Sequence, residues 1–143
     1  MFNPSRQEVR QFFFDTWEKY LDKQILTPLE TMAIDIVIFH PEYQVILENP
    51  EKYLDKDYLP EFGETNPFLH MSMHLAINEQ LSIDQPSGIK ELFNLLSQQL
   101  GDSHKALHEV IDCLAETLWH AQRNHTQPDS HQYLACLKVK IKS

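Results

Sequence analysis

Apolar residues spaced three or four positions apart, behind recognisable helix-start signals, constrain the fold of this chain most. A helix brings residues at that spacing onto one face, which can then pack against a core. Ser5 with Glu8 forms a capping box that predicts the first helix start. The predicted core face of that helix consists of Val9, Phe12, Phe13, Thr16, Trp17, Tyr20 and Leu21.

The second helix start is signalled by Thr27 and Glu30, with Pro28 at the first helical position. Its apolar residues cover more than one face of the predicted helix, which favours a central helix buried on several sides. These residues are Leu29, Met32, Ala33, Ile34, Ile36, Val37, Ile38 and Phe39. Pro41 then ends the helix, because proline disfavours helical backbone in the residue before it.

The rest of the chain continues the helical pattern, with no sign of a hairpin or of alternating strands. Residues 55–65 are predicted to be a loop, and the tail from 137 to 142 a frayed end, because apolar and basic residues alternate there. The sequence therefore predicts a single all-α domain over residues 1–143, a helical bundle of about five main helices plus short helical turns. The remaining predicted helices span 41–47, 50–54, 67–82, 89–100, 103–124 and 130–137.

Composition excludes several classes of function. Only three glycines occur, so there is no glycine-rich phosphate loop, dinucleotide fingerprint or nucleophile elbow. The net charge is −9, and there is no basic patch beyond the short basic tail. The sequence therefore does not indicate nucleic acid as a partner. The longest apolar run, residues 32–39, is too short to span a membrane, and no signal pattern precedes it. We therefore expect a cytoplasmic protein.

Two cysteines, Cys113 and Cys136, lie within helical patterns and form no C-x-x-C motif. In a cytosolic protein this favours buried, reduced thiols over a disulfide or a thiol nucleophile.

Two histidine pairs carry the functional hypothesis: His70 with His74, and His104 with His108. Imidazoles four apart on one helix face can share a metal ion, and both pairs lie at apolar faces, where polar groups need partners. The sequence thus predicts a site for Zn, Fe, Ni or Mn, with Glu109 or Asp112 orienting a ligand or acting as a base. The H-E-x-x-H pattern of zinc peptidases is absent.

Two alternatives to a metal site remain open. About 0.4 such pairs are expected by chance, so the four residues can instead be structural histidines of a metal-free structural or protein-interaction module. The other alternative is metal-free acid–base catalysis by His108 with Asp112. His40, at the end of the second helix, can either approach the same pocket or stabilise the helix C-terminus as a partial cation, and we favour the second role.

Four motifs carry a resemblance to known proteins: His40-Pro41-Glu42-Tyr43, Asn66-Pro67-Phe68-Leu69-His70-Met71 with His74, Gly101-Asp102 with His104 and His108, and Trp119 with Ala121-Gln122-Arg123. Together they resemble an uncharacterised bacterial family, a domain of unknown function. The resemblance covers nearly the whole chain and implies a bacterial cytosolic setting, but no activity. A looser architectural likeness is to the DinB-like bundles, where histidines from two or three helices hold a divalent metal.

The leading hypothesis is a divalent-metal-binding helical bundle acting on a small substrate. The sequence leaves open whether the protein is an enzyme, which metal it would bind, and whether it has a small-molecule or protein partner. It also leaves a homo-oligomer open.

Overall fold

A computed structural model describes residues 6–56, 58 and 66–142 of the chain. Within these residues it contains eight α-helices and no strand, which confirms the all-α class. Ser5 of the predicted capping box and most of the predicted 55–65 loop lie outside the described residues. The helices are α1 (Arg6–Leu21), α2 (Pro28–Phe39), α3 (Glu42–Leu47), α4 (Pro50–Tyr53), α5 (Pro67–Ile83), α6 (Ile89–Leu100), α7 (Ser103–Asn124) and α8 (Ser130–Lys142).

The contacts between residues divide the chain into two compact units, Met1–Leu75 and Ala76–Ser143. One domain over the whole chain stays a prediction. No helix in the described part combines the length and the apolar character needed to cross a membrane.

In the first unit, α1 packs against α2 and α3. Phe14 and Phe68 meet edge to face, with ring centroids 5.6 Å apart. The predicted core face of α1 is buried at Phe13, Thr16 and Trp17 and half-buried at Val9 and Phe12. At its end, Tyr20 and Leu21 are 41% and 56% exposed. The buried apolar residues of this unit are Phe13, Phe14, Trp17, Ala33, Ile34, Ile36, Val37, Leu47, Phe68, Met71 and Leu75.

Helix α2 is buried on one side rather than on several. Ile36 and Val37 are buried, but Ile38 and Phe39 are 52% and 65% exposed. The prediction was wrong for these two residues because hydrophobic pattern alone does not tell how many neighbours a helix has.

Arg10 is the largest buried polar residue of the first unit, with 1% of its surface exposed. Its Nη1 donates hydrogen bonds to the carbonyl oxygens of Tyr53, Leu54 and Lys56, at 3.0, 3.0 and 2.8 Å. Its guanidinium carbon also lies 4.7 Å from the centre of the Phe68 ring. The charged side chain therefore satisfies carbonyls at the C-terminal end of α4, where helices leave such groups unpaired.

The predicted capping box of α2 is confirmed. The backbone N–H of Glu30 donates to Thr27 Oγ1, and the backbone N–H of Thr27 donates to Glu30 Oε1. Lys19 Nζ donates to the other oxygen of the buried Glu30 carboxylate at 3.0 Å. The hydrogen bond from Thr27 and the contact with Lys19 outweigh burial and hold the pKa of Glu30 below its ordinary value.

Because the pKa of Glu30 is lowered on folding, its contribution to stability is present above the unfolded pKa of about 4.3 and is lost as pH falls through the folded pKa. We expect Glu30→Gln to lower the free energy of unfolding by about 1 kcal/mol at pH 7. Urea unfolding at pH 7 and pH 3 measures this, and the loss should shrink at pH 3. Asp35→Asn, an exposed acid on the same helix, is the control. An equal loss at both pH values would contradict the argument.

In the second unit, α6, α7 and α8 pack against one another. Gly101 ends α6 with a left-handed backbone (φ 70°), which glycine adopts without strain. Asp102 then caps α7 by accepting hydrogen bonds from the backbone N–H groups of His104 and Lys105. The buried apolar residues of this unit include Ile77, Ile89, Leu96, Ala106, Val110, Ile111, Leu114, Tyr133 and Leu137.

The C-terminal tail is helical, not a frayed end. Helix α8 continues to Lys142, so six helices in the described part have at least 12 residues. Tyr133 and Leu137 are buried one turn apart, whereas Val139 is 66% exposed. The apolar–basic alternation was misleading because the packed face follows helical spacing instead.

The prediction of reduced thiols was also wrong. Cys113 on α7 and Cys136 on α8 form a disulfide, with Cα atoms 5.8 Å apart. No sequence pattern indicates this bond, because the two residues meet only when their helices pack side by side.

Candidate metal centre

Two of the predicted ligands, His70 and His74, lie in the first two turns of α5. Asn66 caps this helix, since its Oδ1 accepts hydrogen bonds from the backbone N–H groups of Phe68 and Leu69. The cap starts the helix so that the two histidines lie one turn apart on the same side. Their ring centroids are 4.8 Å apart, and His74 is only 2% exposed.

His40, the C-terminal cap of α2, joins this pair. Its backbone N–H donates to the carbonyls of Ile36 and Val37, and its ring is buried. His40 Nε2 lies 3.2 Å from His74 Nε2, and the His40 and His70 ring centroids are 5.0 Å apart. The three histidines offer ring nitrogens within 4.8 Å of one another, which is close enough to hold a metal ion.

Glu42 and Tyr43 hold the His40 ring in place. Glu42 Oε1 lies 2.9 Å from His40 Nδ1, and the Tyr43 ring stacks on the imidazole with centroids 5.0 Å apart. A carboxylate accepts a hydrogen bond from the Nδ1–H group, which leaves the lone pair on Nε2, the nitrogen that faces His74. This is the orientation that a metal-binding histidine needs.

The electrostatics of the two flanking residues differ. Burial acts to raise the pKa of Glu42, but hydrogen bonds from His40 and from the backbone hold it below its ordinary value. Burial, followed by the charge of Glu42, raises the pKa of Tyr43 to about 12. Tyr43 is therefore a neutral phenol at physiological pH, and Glu42 is an anion.

The spacing of the nitrogens fits a transition-metal ion. Zinc binds histidine nitrogen at about 2.0–2.1 Å in tetrahedral sites, which places two such nitrogens roughly 3.3 Å apart. The 3.2 Å between His40 Nε2 and His74 Nε2 matches that distance. An all-imidazole donor set suits Zn, Fe or Ni better than Ca or Mg.

The second predicted pair, His104 and His108, lies on the first two turns of α7. The ring centroids are 4.3 Å apart, and both residues are half-buried. Glu109, a candidate base, is paired with Lys140 Nζ, and the other candidate, Asp112, is exposed. That the two histidine pairs share one ion stays a prediction.

One family model matches residues 5–139, described as a domain of unknown function (DUF1841). The chain belongs to this family. The searches of curated proteins and of solved structures each found no match. The DUF1841 match spans His40 and all four predicted histidine ligands, and it bears out the resemblance to an uncharacterised family. The likeness to DinB-like bundles stays an expectation.

Within this DUF1841 chain, the role favoured for His40 from the sequence did not include its contact with His74. The residue does lie at the helix C-terminus, but its ring contacts His74 rather than the end of its own helix. The available signal was its helical spacing, three residues after Val37 and four after Ile36, both of which are buried, and directly before Pro41. Glu42, two residues later, is the partner that sequence analysis did not consider.

Proposed function

We propose that this protein binds one divalent transition-metal ion through His40, His70 and His74. The observation that carries the proposal is the 3.2 Å separation of the His40 and His74 Nε2 atoms inside a cluster of two buried histidines and the half-buried His70. Imidazole nitrogens are preferred ligands of such ions, and one ion could bind all three rings at once.

Glu42 supports this site by accepting the Nδ1 proton of His40 at 2.9 Å. Carboxylates in that position orient a histidine ligand and make it more basic. His104 and His108 are the proposed sources of a further ligand, because a pair one turn apart on α7 presents two nitrogens on one face.

With three protein nitrogens, a bound ion would keep a position for water, whose pKa it would lower, or for an oxygen of a small substrate, which it would polarise. The proposed class of activity is therefore metal-dependent chemistry on a small substrate. Zn, Fe, Ni and Mn are the candidate ions.

A second candidate is a metal-free structural or protein-interaction module. It is favoured by the same 3.2 Å separation, which is also a hydrogen-bond distance. His40 can accept the Nε2 proton of His74 while donating its Nδ1 proton to Glu42. That chain of hydrogen bonds satisfies buried imidazole nitrogens without an ion.

Elemental analysis of protein purified without an affinity tag or added metal distinguishes the two candidates. We expect close to one transition-metal ion per chain and a melting temperature that falls by several degrees when a strong chelator is added. The reason is linkage: an ion at a hundred times its Kd stabilises the folded state by about 2.7 kcal/mol. No ion, and no change in melting with Zn, Fe, Ni or Mn, would leave the metal-free module.

A further inference from the structure

The two sulfurs of the disulfide differ in how solvent reaches them. Cys113 is completely buried, whereas Cys136 is half-buried and lines a surface groove of about 430 Å³. The groove also has Glu116, Gln132, Ala135, Val139 and Lys140 along its walls. A thiol approaching from solution therefore meets Cys136 before Cys113, and access is one of the factors that decide which sulfur is attacked.

Helices α7 and α8 are held together by more than this bond. Tyr133 and Leu137 of α8 are 3% and 1% exposed, and Lys140 Nζ pairs with the Glu109 carboxylate on α7. Opening the disulfide therefore leaves the packing of α7 against α8 and an ion pair between the same helices. The bond can be broken without separating them, as a reversible exchange requires.

From this asymmetry, we propose that Cys136 is a site of reversible thiol exchange with a low-molecular-weight thiol. The thiolate of that thiol attacks Cys136 Sγ, and a new S–S bond forms there. The Cys113–Cys136 bond breaks, and its electron pair leaves on Cys113 Sγ, which takes a proton from water. In the reverse step, Cys113 thiolate attacks Cys136 Sγ and expels the small thiol as its thiolate.

The groove fits a zwitterionic thiol of tripeptide size. Glu116 Oε2 lies 3.9 Å from Cys136 Sγ, and Lys140 lines the same groove, so both signs of charge flank the sulfur. Ala135 and Val139 supply apolar surface for an aliphatic chain. Cytosolic disulfides are usually transient or redox-sensing. If the protein is cytosolic, as the sequence predicts, an exchangeable Cys113–Cys136 bond is therefore the kind of disulfide to expect.

Peptide mapping of the wild-type protein tests the proposal directly. The folded protein is incubated with reduced and oxidised glutathione in the presence of a chelator, quenched with acid, alkylated after unfolding and digested. We expect glutathione on the peptide that contains Cys136 and a free thiol at Cys113. Glutathione at Cys113, or a disulfide that opens only as fast as the protein unfolds, would overturn the proposal.

Two matched variants test the same assignment by rate. Cys113→Ser leaves Cys136 as the single thiol, and Cys136→Ser leaves Cys113. Oxidised glutathione should modify the first at least about tenfold faster than the second in the folded state, and equally fast in urea. Equal rates in folded samples, with folding checked by circular dichroism, would overturn the proposal. The wild-type mapping decides alone if a variant does not fold.

Discussion

Arg10→Met is expected to lower the free energy of unfolding by about 3–5 kcal/mol. Hydrogen bonds to charged groups contribute about 1.5–3 kcal/mol each, and Arg10 Nη1 makes three of them to backbone carbonyls. Bonds that share one donor do not add fully, so the total lies below their sum. The loss is still a large fraction of the 5–15 kcal/mol that is typical of a folded domain.

The measurement is urea unfolding followed by the fluorescence of Trp17, which is 6% exposed in the same unit. A Trp119→Phe background removes the emission of the other tryptophan. The matched control is Arg123→Met, because Arg123 is exposed and its guanidinium lies 5.1 Å from the Trp119 ring in the unchanged protein. We expect less than about 1 kcal/mol for this control. A loss below 1 kcal/mol for Arg10→Met would show that water replaces its hydrogen bonds.

Arg10→Lys tests how much of this stability depends on the charge of the side chain and how much on its shape. Lysine keeps the positive charge but has a single ammonium group in place of the planar guanidinium that lies over Phe68. The expected loss is intermediate between those of the wild type and Arg10→Met.

His74→Ala is expected to weaken metal binding at least about 100-fold. His74 is the most buried of the three proposed ligands in the first unit, and its Nε2 lies 3.2 Å from that of His40. Losing a nitrogen from a small donor set removes a direct bond to the ion, and each tenfold change in Kd corresponds to about 1.4 kcal/mol. Competition with a chromophoric chelator of known affinity measures the effect.

The same assay separates ligands from the residue that orients them. Glu42→Gln should weaken binding by about 10–100-fold, since the acceptor of the His40 Nδ1 proton is changed but every ligand remains. His131→Ala, at an exposed position on α8, is the control and should leave the Kd unchanged. Melting in excess chelator shows whether a variant is folded. Unchanged affinity in folded His74→Ala protein would remove this site.

Local chemistry explains what the sequence could predict. Thr27, Asn66 and Asp102 each start a helix by accepting backbone hydrogen bonds from residues two or three positions on, so the signal and its structure lie within one turn. The same short range places His70 beside His74, and His104 beside His108.

Features that depend on packing between helices could not be predicted in this way. His40 meets His74 across 34 positions, and Cys113 meets Cys136 across 23. Neither separation follows from a helical period. The exposure of Ile38 and Phe39 has the same origin, since the number of neighbours around α2 is decided by the tertiary fold.

Because His40 and His74 are 34 positions apart, the proposed ion would also link two distant parts of the chain. An ion bound by both residues is a cross-link that closes a loop from the end of α2 to the second turn of α5. In a chain-entropy treatment, closing a loop of this length restricts the unfolded chain by about 3–4 kcal/mol when the link survives unfolding. Histidine links do not survive it, so release of the ion and opening of that loop become one cooperative event.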